Sequence, residues 1–415
     1  MEVLYLYSYY KPEKTSGAHL AEDERRALVA DGHRITIYTP TPTRGVDKVT
    51  RKAYKKRKHE SEYDGAVTVH RFSLFGEGKN TLMRAFRYFL LECRLLWLGL
   101  TRKKKDILIL GSTPPINGLM GAVLKKLKRI PYVYTVQDLF PESLVSTGMT
   151  KKGSLIWKIG NWVSNVTYKN SAHIIVISDS IKKSLVEKGV PESKITVVYN
   201  WIDTDKVVPV EREKNSLFDE LGLDRNKFII TYAGNLGNSQ NPKILVDCAE
   251  KLKSNEDIQF VIFGDGTEKD KLVSRIDEAK LENIKLFPMQ PLERVSEVYS
   301  LGDVSFVTCK AGVGSGAFPS KSASIMATAT PIIASFDLDS DLCKMISEHR
   351  LGECCEPENA AMAAERIVKL YQDSALVKEY GENARRHACE KFSKEIGIKK
   401  RIEIYKEYAR KKKYR

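Results

Sequence analysis

A chain of 415 residues with 42% hydrophobic content is too long for one ordinary core and apolar enough for globular folding, so two domains of about 200 residues are expected. Its seven cysteines are odd in number and form no C-x-x-C pair, which reads as free thiols in a reducing compartment. The net charge of +15 is lopsided: residues 1–200 hold 34 Lys/Arg against 18 Asp/Glu, a net +16, and residues 201–415 hold 34 against 35, a net −1. Such asymmetry points to a polyanionic surface, nucleic acid or anionic lipid, facing the first domain alone.

The opening M-E-V-L-Y-L-Y lacks a basic leader and a cleavage site, so it is read as a buried strand over Val3–Ser8 with no secretion signal. Helical apolar spacing over Ala18–Ala30 ends at Gly32, and a strand over Arg34–Thr39 completes a βαβ unit. Thr15 to Gly17 then follow the first strand, where open α/β sheets bind ligands. The absence of G-x-G-x-x-G counts against a dinucleotide oxidoreductase.

The Lys/Arg-rich stretch Lys48–His59 has little apolar content and is expected to be an exposed loop. After a strand over Ala66–Phe72, the segment Arg84–Lys105 contains Y-F-L-L-E-C-R-L-L-W-L-G-L between clusters of cations. Glu92 and Arg94 interrupt it before the roughly 20 apolar residues that a bilayer span takes. It fits a helix packed inside the domain or one lying in a membrane interface, with Trp97 and the flanking cations as anchors.

Asp106–Leu110 and Tyr132–Val136 read as buried strands, and the second leads into Q-D-L-F-P-E-S. Asp138 there is placed either for chemistry or to cap a turn. Strand His173–Ile177, a Ser178-capped helix ending at Gly189, and strand Ile195–Tyr199 close the first half with N-W-I-D. Glu211–Lys227 is charged and poor in apolar runs, so it is read as the linker. The alternation then restarts with strands at Phe228–Ala233, Ile258–Phe263 and Ile284–Phe287, which predicts two doubly wound α/β domains facing across a cleft. The boundaries expected are 1–210, 211–390, and a C-terminal helix with a basic tail over 391–415 returning to the first domain.

Asp303–Ser335 reads strand, Gly-rich loop, helix, strand. Gly312, Gly314 and Gly316 let the backbone approach a ligand, and Pro319, Ser320 and Lys321 open the helix. A helix N-terminus after glycines, joined by a lysine, is expected to hold an anion.

The ordered set S-G-A-H (16–19), V-I-S-D-S, K-I-T-V-V-Y-N-W-I-D, Y-A-G-N-L-G (232–237), F-G-D-G-T-E (263–268) and F-P-S-K-S-A-S-I-M-A with P-I-I-A-S resembles the family 4 glycosyltransferases of GT-B architecture over nearly the whole chain. Q-D-L-F-P-E-S, N-W-I-D and P-S-K resemble the branch that builds O-antigen, capsule or colanic-acid polysaccharide, including fucosaminyltransferases. The family's glutamate pair falls on Gly316 and Ser324, its Arg and Lys after the Y-A-G strand on Asn235 and Gln240, and a common histidine on Gln137. Lys321 is thereby left as the diphosphate cation.

The resemblance implies retaining transfer of a sugar from a nucleoside diphosphate sugar. UDP is preferred as carrier and an N-acetylated 6-deoxyhexose as sugar, with a polyprenyl-diphosphate-linked glycan as acceptor at an anionic membrane surface. Asp138 and Lys321 are the expected catalytic residues. Donor binding is expected from Gly17, Gly234, Asn235, Asn238, Gly264, Asp265, Ser320, Lys321 and Ser324, and acceptor binding from Ser16, His19, Gln137 and Glu142. No D-x-D pair suited to Mg²⁺ and no His/Cys ligand cluster is found, so no metal or other cofactor is expected. No nucleic-acid module accompanies the basic half, and the expected location is cytoplasmic, peripheral on the inner membrane face. The alternatives are a nucleotide-sugar 2-epimerase and a catalytically silent transferase-like subunit.

Overall fold

Short runs of β-branched and aromatic residues, such as Tyr132–Val136 and His173–Val176, are buried on both faces, as strands of a helix-covered parallel sheet must be. A computed structural model describes residues 1–13, 17–76, 80–146, 148–314 and 318–410. The chain divides into two units, Met1–Val198 with Ile398–Arg415, and Tyr199–Gly397.

The first unit begins with β1 (Glu2–Leu6), α1 (Ala18–Ala30), β2 (Arg34–Pro40), α2 (Lys48–Lys56), β3 (His59–Glu62) and β4 (Val67–Phe72). It continues with α3 (Thr81–Thr101), β5 (Ile107–Gly111), α4 (Asn117–Lys128), β6 (Tyr132–Val136) and α5 (Glu142–Ser146). Then come α6 (Leu155–Asn170), β7 (His173–Val176), α7 (Asp179–Glu187) and β8 (Ile195–Val197). The eight strands lie in the order β3-β4-β2-β1-β5-β6-β7-β8, parallel except for β3 against β4. The order therefore reverses between β1 and β5.

The second unit holds α8 (Leu217–Glu220), β9 (Phe228–Asn235), α9 (Lys243–Lys251), β10 (Ile258–Asp265), α10 (Lys269–Glu278) and β11 (Ile284–Phe287). After α11 (Val295–Ser300) and β12 (Val304–Thr308) come α12 (Lys321–Ala327), β13 (Ile332–Ser335), α13 (Asp341–His349) and β14 (Gly352–Cys355). Helices α14 (Ala360–Gln372), α15 (Ser374–His387) and α16 (Lys394–Arg410) end the described chain. The sheet runs β11-β10-β9-β12-β13-β14 with every pair parallel, and its order reverses between β9 and β12.

Two expectations are corrected. The division falls after Val198, not at 210, and Glu211–Lys227 is no linker: Leu217 and Phe218 are fully buried in the second unit's core, and Arg212 pairs with Asp303 at 2.8 Å. Charged neighbours conceal those two apolar anchors in the sequence. Lys48–Lys56 is a helix rather than a loop, because Asp47 caps it by accepting from the Thr50 N–H at 2.8 Å, although none of its residues is buried. Helix α16 ends the described chain, and its residues from Ile398 belong to the first unit.

Helix α3 packs one face into the core through Leu91, Leu95 and Leu98 while Met83, Phe86, Phe89 and Trp97 stay exposed. Glu92 lies on the packed face, and neither carboxylate oxygen has a hydrogen-bond partner among the described residues. Burial raises its pKa to about 8. A carboxyl whose folded pKa is raised incurs no penalty below its ordinary value near 4.5 and its full penalty above 8. Wild-type stability should therefore fall between pH 5 and pH 9 by on the order of 3–5 kcal/mol more than that of Glu92→Gln, at about 1.4 kcal/mol per pKa unit. Thermal unfolding of both proteins across that range is the check; parallel pH profiles would remove the buried carboxyl from the account.

Candidate functional site

Open α/β sheets hold ligands beyond the C-terminal ends of their strands, where the strand order reverses. In the second unit that place is the end of β9 and β12. Gly234 and Asn235 end β9 and stand in register with Gly264 and Asp265 at the end of β10. The sequence places a loop after Ala233, whereas the strand continues through Asn235 because its backbone stays paired with β10.

Lys321 is brought to this edge by α12. Its stem is partly exposed, but its ammonium is buried, stands 3.9 Å from the centre of the Tyr232 ring, and has no hydrogen-bond partner among the described residues. The ring is held by its own hydroxyl, which donates to the Asn235 carbonyl at 2.8 Å. Gly234 makes room: its φ is +153°, and a Cβ there would sit 3.0 Å from Lys321 Nζ. Burial pushes the amine's pKa down to about 7. A buried cation without hydrogen bonds is costly, and an aromatic face recovers only part of what water supplied. An incoming anion would recover the rest.

The loops around it are tied together. Lys310, two residues after β12, donates from Nζ to Asn238 Oδ1 at 2.6 Å and from its backbone N–H to the Ser239 carbonyl at 3.0 Å. Asp337 accepts from the N–H groups of Gly312 and Gly314 at 2.9 and 2.8 Å, which fixes the start of the Gly-rich loop. Asn235 Nδ2 donates to Gln240 Oε1 at 3.1 Å, so the two positions matched to cations carry an amide pair. Asp265 accepts from the Gly266 N–H at 2.9 Å.

The helix opening differs from the expectation. Helix α12 has seven residues, Pro319 lies before it, and Ser320 makes no side-chain cap, so the lysine rather than a helix terminus is the cationic feature. The Pro319 carbonyl accepts from the Ser322 N–H at 3.0 Å, a tight turn that the Pro-Ser-Lys run alone does not disclose. Ser324 is nearly buried on α12, and Gly316 lies outside the described residues.

In the first unit the strand order reverses between β1 and β5. Gly17 precedes α1 with open space where a side chain would be, and His19 is exposed on the first turn; Ser16 lies outside the described residues. The Gln137 N–H donates to Ser112 Oγ at 3.0 Å, which ties the end of β6 to the end of β5, and Asp138 beside it is exposed. Glu142 pairs with Lys188 at 2.7 Å, which links α5 to the end of α7. Among the described residues no three His, Cys, Asp or Glu side chains converge as metal ligands.

Sequence reasoning missed Tyr232, Lys310 and Asp337. Tyr232 offers a signal only as a bulky aromatic two residues before a strand-ending glycine, and Lys310 as a cation two residues after a buried strand.

Two family models match in succession, Glycosyltransferase Family 4 over residues 18–206 and Glycosyl transferases group 1 over residues 213–387. The chain is 25% identical to WcaI of Escherichia coli (strain K12), named for colanic acid biosynthesis as a glycosyl transferase, across 86% of this chain and 89% of that one. It is 30% identical over 178 residues, 41% of this chain and 43% of the relative, to the Escherichia coli UDP-Gal:alpha-D-GlcNAc-diphosphoundecaprenol alpha-1,3-galactosyltransferase. Among solved structures, HepE (Alr3699) of Anabaena in complex with UDP aligns over 98% of this chain and all of its own at a TM-score of 0.72 and 16% identity. Sucrose-phosphate synthase of Thermosynechococcus elongatus aligns over 98% of each chain at a TM-score of 0.73 and 15% identity. The chain is a glycosyltransferase of GT-B architecture, a Family 4 domain followed by a group 1 domain.

Proposed function

We propose that the protein transfers a sugar, with retention at the anomeric carbon, from a UDP-sugar to a polyprenyl-diphosphate-linked glycan during polysaccharide synthesis. The single observation that carries this reading is the buried Lys321 ammonium without a hydrogen-bond partner among the described residues, at the ligand-binding edge of the group 1 domain. A departing nucleoside diphosphate gathers negative charge on its oxygens, and a fixed cation in a dry site stabilises that charge more in the transition state than in the ground state. Gly234 and Gly264 leave the strand ends bare enough for a diphosphate to approach, and Asn235, Asn238, Asp265, Ser320 and Ser324 are the neighbouring donor contacts.

Support for UDP comes from structural neighbours whose crystals hold UDP or UDP-glucose, and support for the lipid-linked acceptor from the galactosyltransferase relative, which is named for such a substrate. The branch resemblance adds an N-acetylated 6-deoxyhexose as the sugar. Asp138, exposed at the end of β6, orients a reacting hydroxyl, and His19, Gln137 and Glu142 are the acceptor contacts of this reading. The leaving phosphate takes the acceptor proton, and no metal takes part. No described helix is long and apolar enough to cross a membrane, and the reading places the protein peripherally on the cytoplasmic face.

Thermal unfolding against a panel of nucleoside diphosphates tests the donor. A ligand at 100 times its dissociation constant adds about 2.7 kcal/mol of stability. UDP is expected to raise Tm and to outdo GDP, ADP and TDP; a panel led by another base would overturn the donor assignment.

A further inference from the structure

The exposed surface of the first unit carries a feature that sugar transfer to a soluble acceptor would not need. On α6, Leu155, Ile156, Ile159 and Trp162 follow helical spacing along one face and are 73%, 59%, 53% and 58% exposed. The adjoining face, with Gly160, Ser164 and Thr167, is buried. Helix α4 packs between α3 and α6, so the exposed apolar side chains of α3 and α6 belong to the same side of the sheet. Lone exposed leucines are ordinary, but a helix face of four, tryptophan included, marks an interaction surface.

Charge selects the partner. Residues 80–178 contain 15 Lys/Arg and four acidic residues. Of those four, Glu92 is buried, Asp106 accepts from the Glu2 N–H at 2.8 Å, and Glu142 pairs with Lys188, so Asp138 is the exposed one. Lys151, Lys152 and Lys158 border the α6 apolar face in solvent. A second copy of this chain would set cations against cations. An anionic bilayer instead receives the apolar face in its interface and the ammonium groups among its headgroups.

The geometry points to α6 as the element that inserts into an anionic lipid surface, with Leu155, Ile156, Ile159 and Trp162 as its buried anchors. This deepens the function proposed above, because a lipid-linked acceptor is met only at a surface. It also says how the surface is joined to the site. At Gly160 a Cβ would lie 2.8 Å from the Pro141 side chain, and Ser164 Oγ donates to the Phe140 carbonyl at 2.7 Å. The inserting helix is thus fastened to the segment that carries Gln137 and Asp138. Helix α2, richer in lysine and arginine, has no comparable apolar face and is assigned no insertion.

The full chain is to be sedimented with vesicles of phosphatidylcholine and phosphatidylglycerol at 3:1, and with phosphatidylcholine alone, at low and high salt. Wild type is expected to bind the anionic vesicles and to release tenfold or more at high salt. Ile156→Glu with Ile159→Glu, which alters only exposed positions, should keep the wild-type Tm and weaken vesicle partitioning on the order of 100-fold. Equal partitioning of wild type and variant would overturn the assignment to α6. Absence of vesicle binding by wild type, or a wild-type dimer that the variant dissolves, would overturn the lipid partner. Transfer to a water-soluble, short-chain diphosphate-linked acceptor separates this from the function itself: both proteins should turn it over equally. Failure of wild type in that assay alone strikes the proposed activity and leaves the lipid surface standing.

Discussion

Lys321→Met is expected to change stability and function in opposite directions. Transfer should fall by roughly 10²–10³, the usual loss when one fixed donor to a developing oxyanion is removed, and UDP should bind more weakly. Unfolding should at the same time become harder by roughly 1–3 kcal/mol, since methionine fills the same space without burying a charge. The aromatic contact with Tyr232 offsets part of that gain and keeps it small. A lysine retained for structure would show the reverse, a loss of stability with transfer intact, and that result would end its place at the diphosphate.

The sign of the pH dependence follows from the same burial. The amine's pKa is lowered to about 7, so its burial penalty is complete below that pH and fades as the pH rises toward the ordinary lysine value near 10.5. The advantage of the methionine variant should therefore be largest at pH 6 and shrink by pH 9. A bound diphosphate favours the charged amine and raises its pKa again. Binding of UDP at pH 8 should then take up a fraction of a proton, visible as a calorimetric enthalpy that depends on the buffer's ionisation enthalpy. The methionine variant should show no such dependence.

The sheets were legible because their strands are covered on both faces, which leaves short β-branched runs such as Ile107–Gly111 and Ile332–Ser335 standing out between helices. Strand β14 gave no such signal: Gly-Glu-Cys-Cys has neither alternation nor branching, and its pairing with β13 is set by the packing of α13 against it. Helix α2 was hidden by its charge, and α8 by the charged residues around Leu217 and Phe218. At the site, a lysine after a Gly-rich loop could be read as an anion-binding group, and it does stand at the sheet's ligand edge. That its ammonium lies buried over Tyr232 could not be read, because β9 and α12 meet only once the six elements between them in the chain have been placed. The amide pair of Asn235 and Gln240 shows a related limit: two missing cations are visible in sequence, but not that their replacements bond to one another.

The largest single loss of stability is expected in the first unit, where α16 closes onto α1. Glu24 is buried and accepts hydrogen bonds from Arg401 Nη1 at 2.9 Å, from the Tyr405 hydroxyl at 3.0 Å and from the Tyr5 hydroxyl at 2.5 Å. Replacing one member of a buried ion pair leaves the other charge without compensation and costs about 3–5 kcal/mol. Glu24→Gln keeps the shape but removes the charge and turns one acceptor oxygen into an NH2 donor facing the donors around it, so it loses a hydrogen bond along with the ion pair. For a unit of this size, with about 2–4 °C of Tm per kcal/mol, the expected fall is roughly 10 °C. Arg401→Met should lose less, because the carboxylate keeps both tyrosine hydroxyls, and Glu24→Leu with Arg401→Met should recover most of the loss, since a well-packed apolar pair avoids desolvating two ions. The double-mutant cycle measures the coupling directly. A near-zero coupling would mean that α16 is held by Ile402, Tyr405 and Ala409 alone, all of them buried beside the pair, and that the charges only choose the register in which the helix docks.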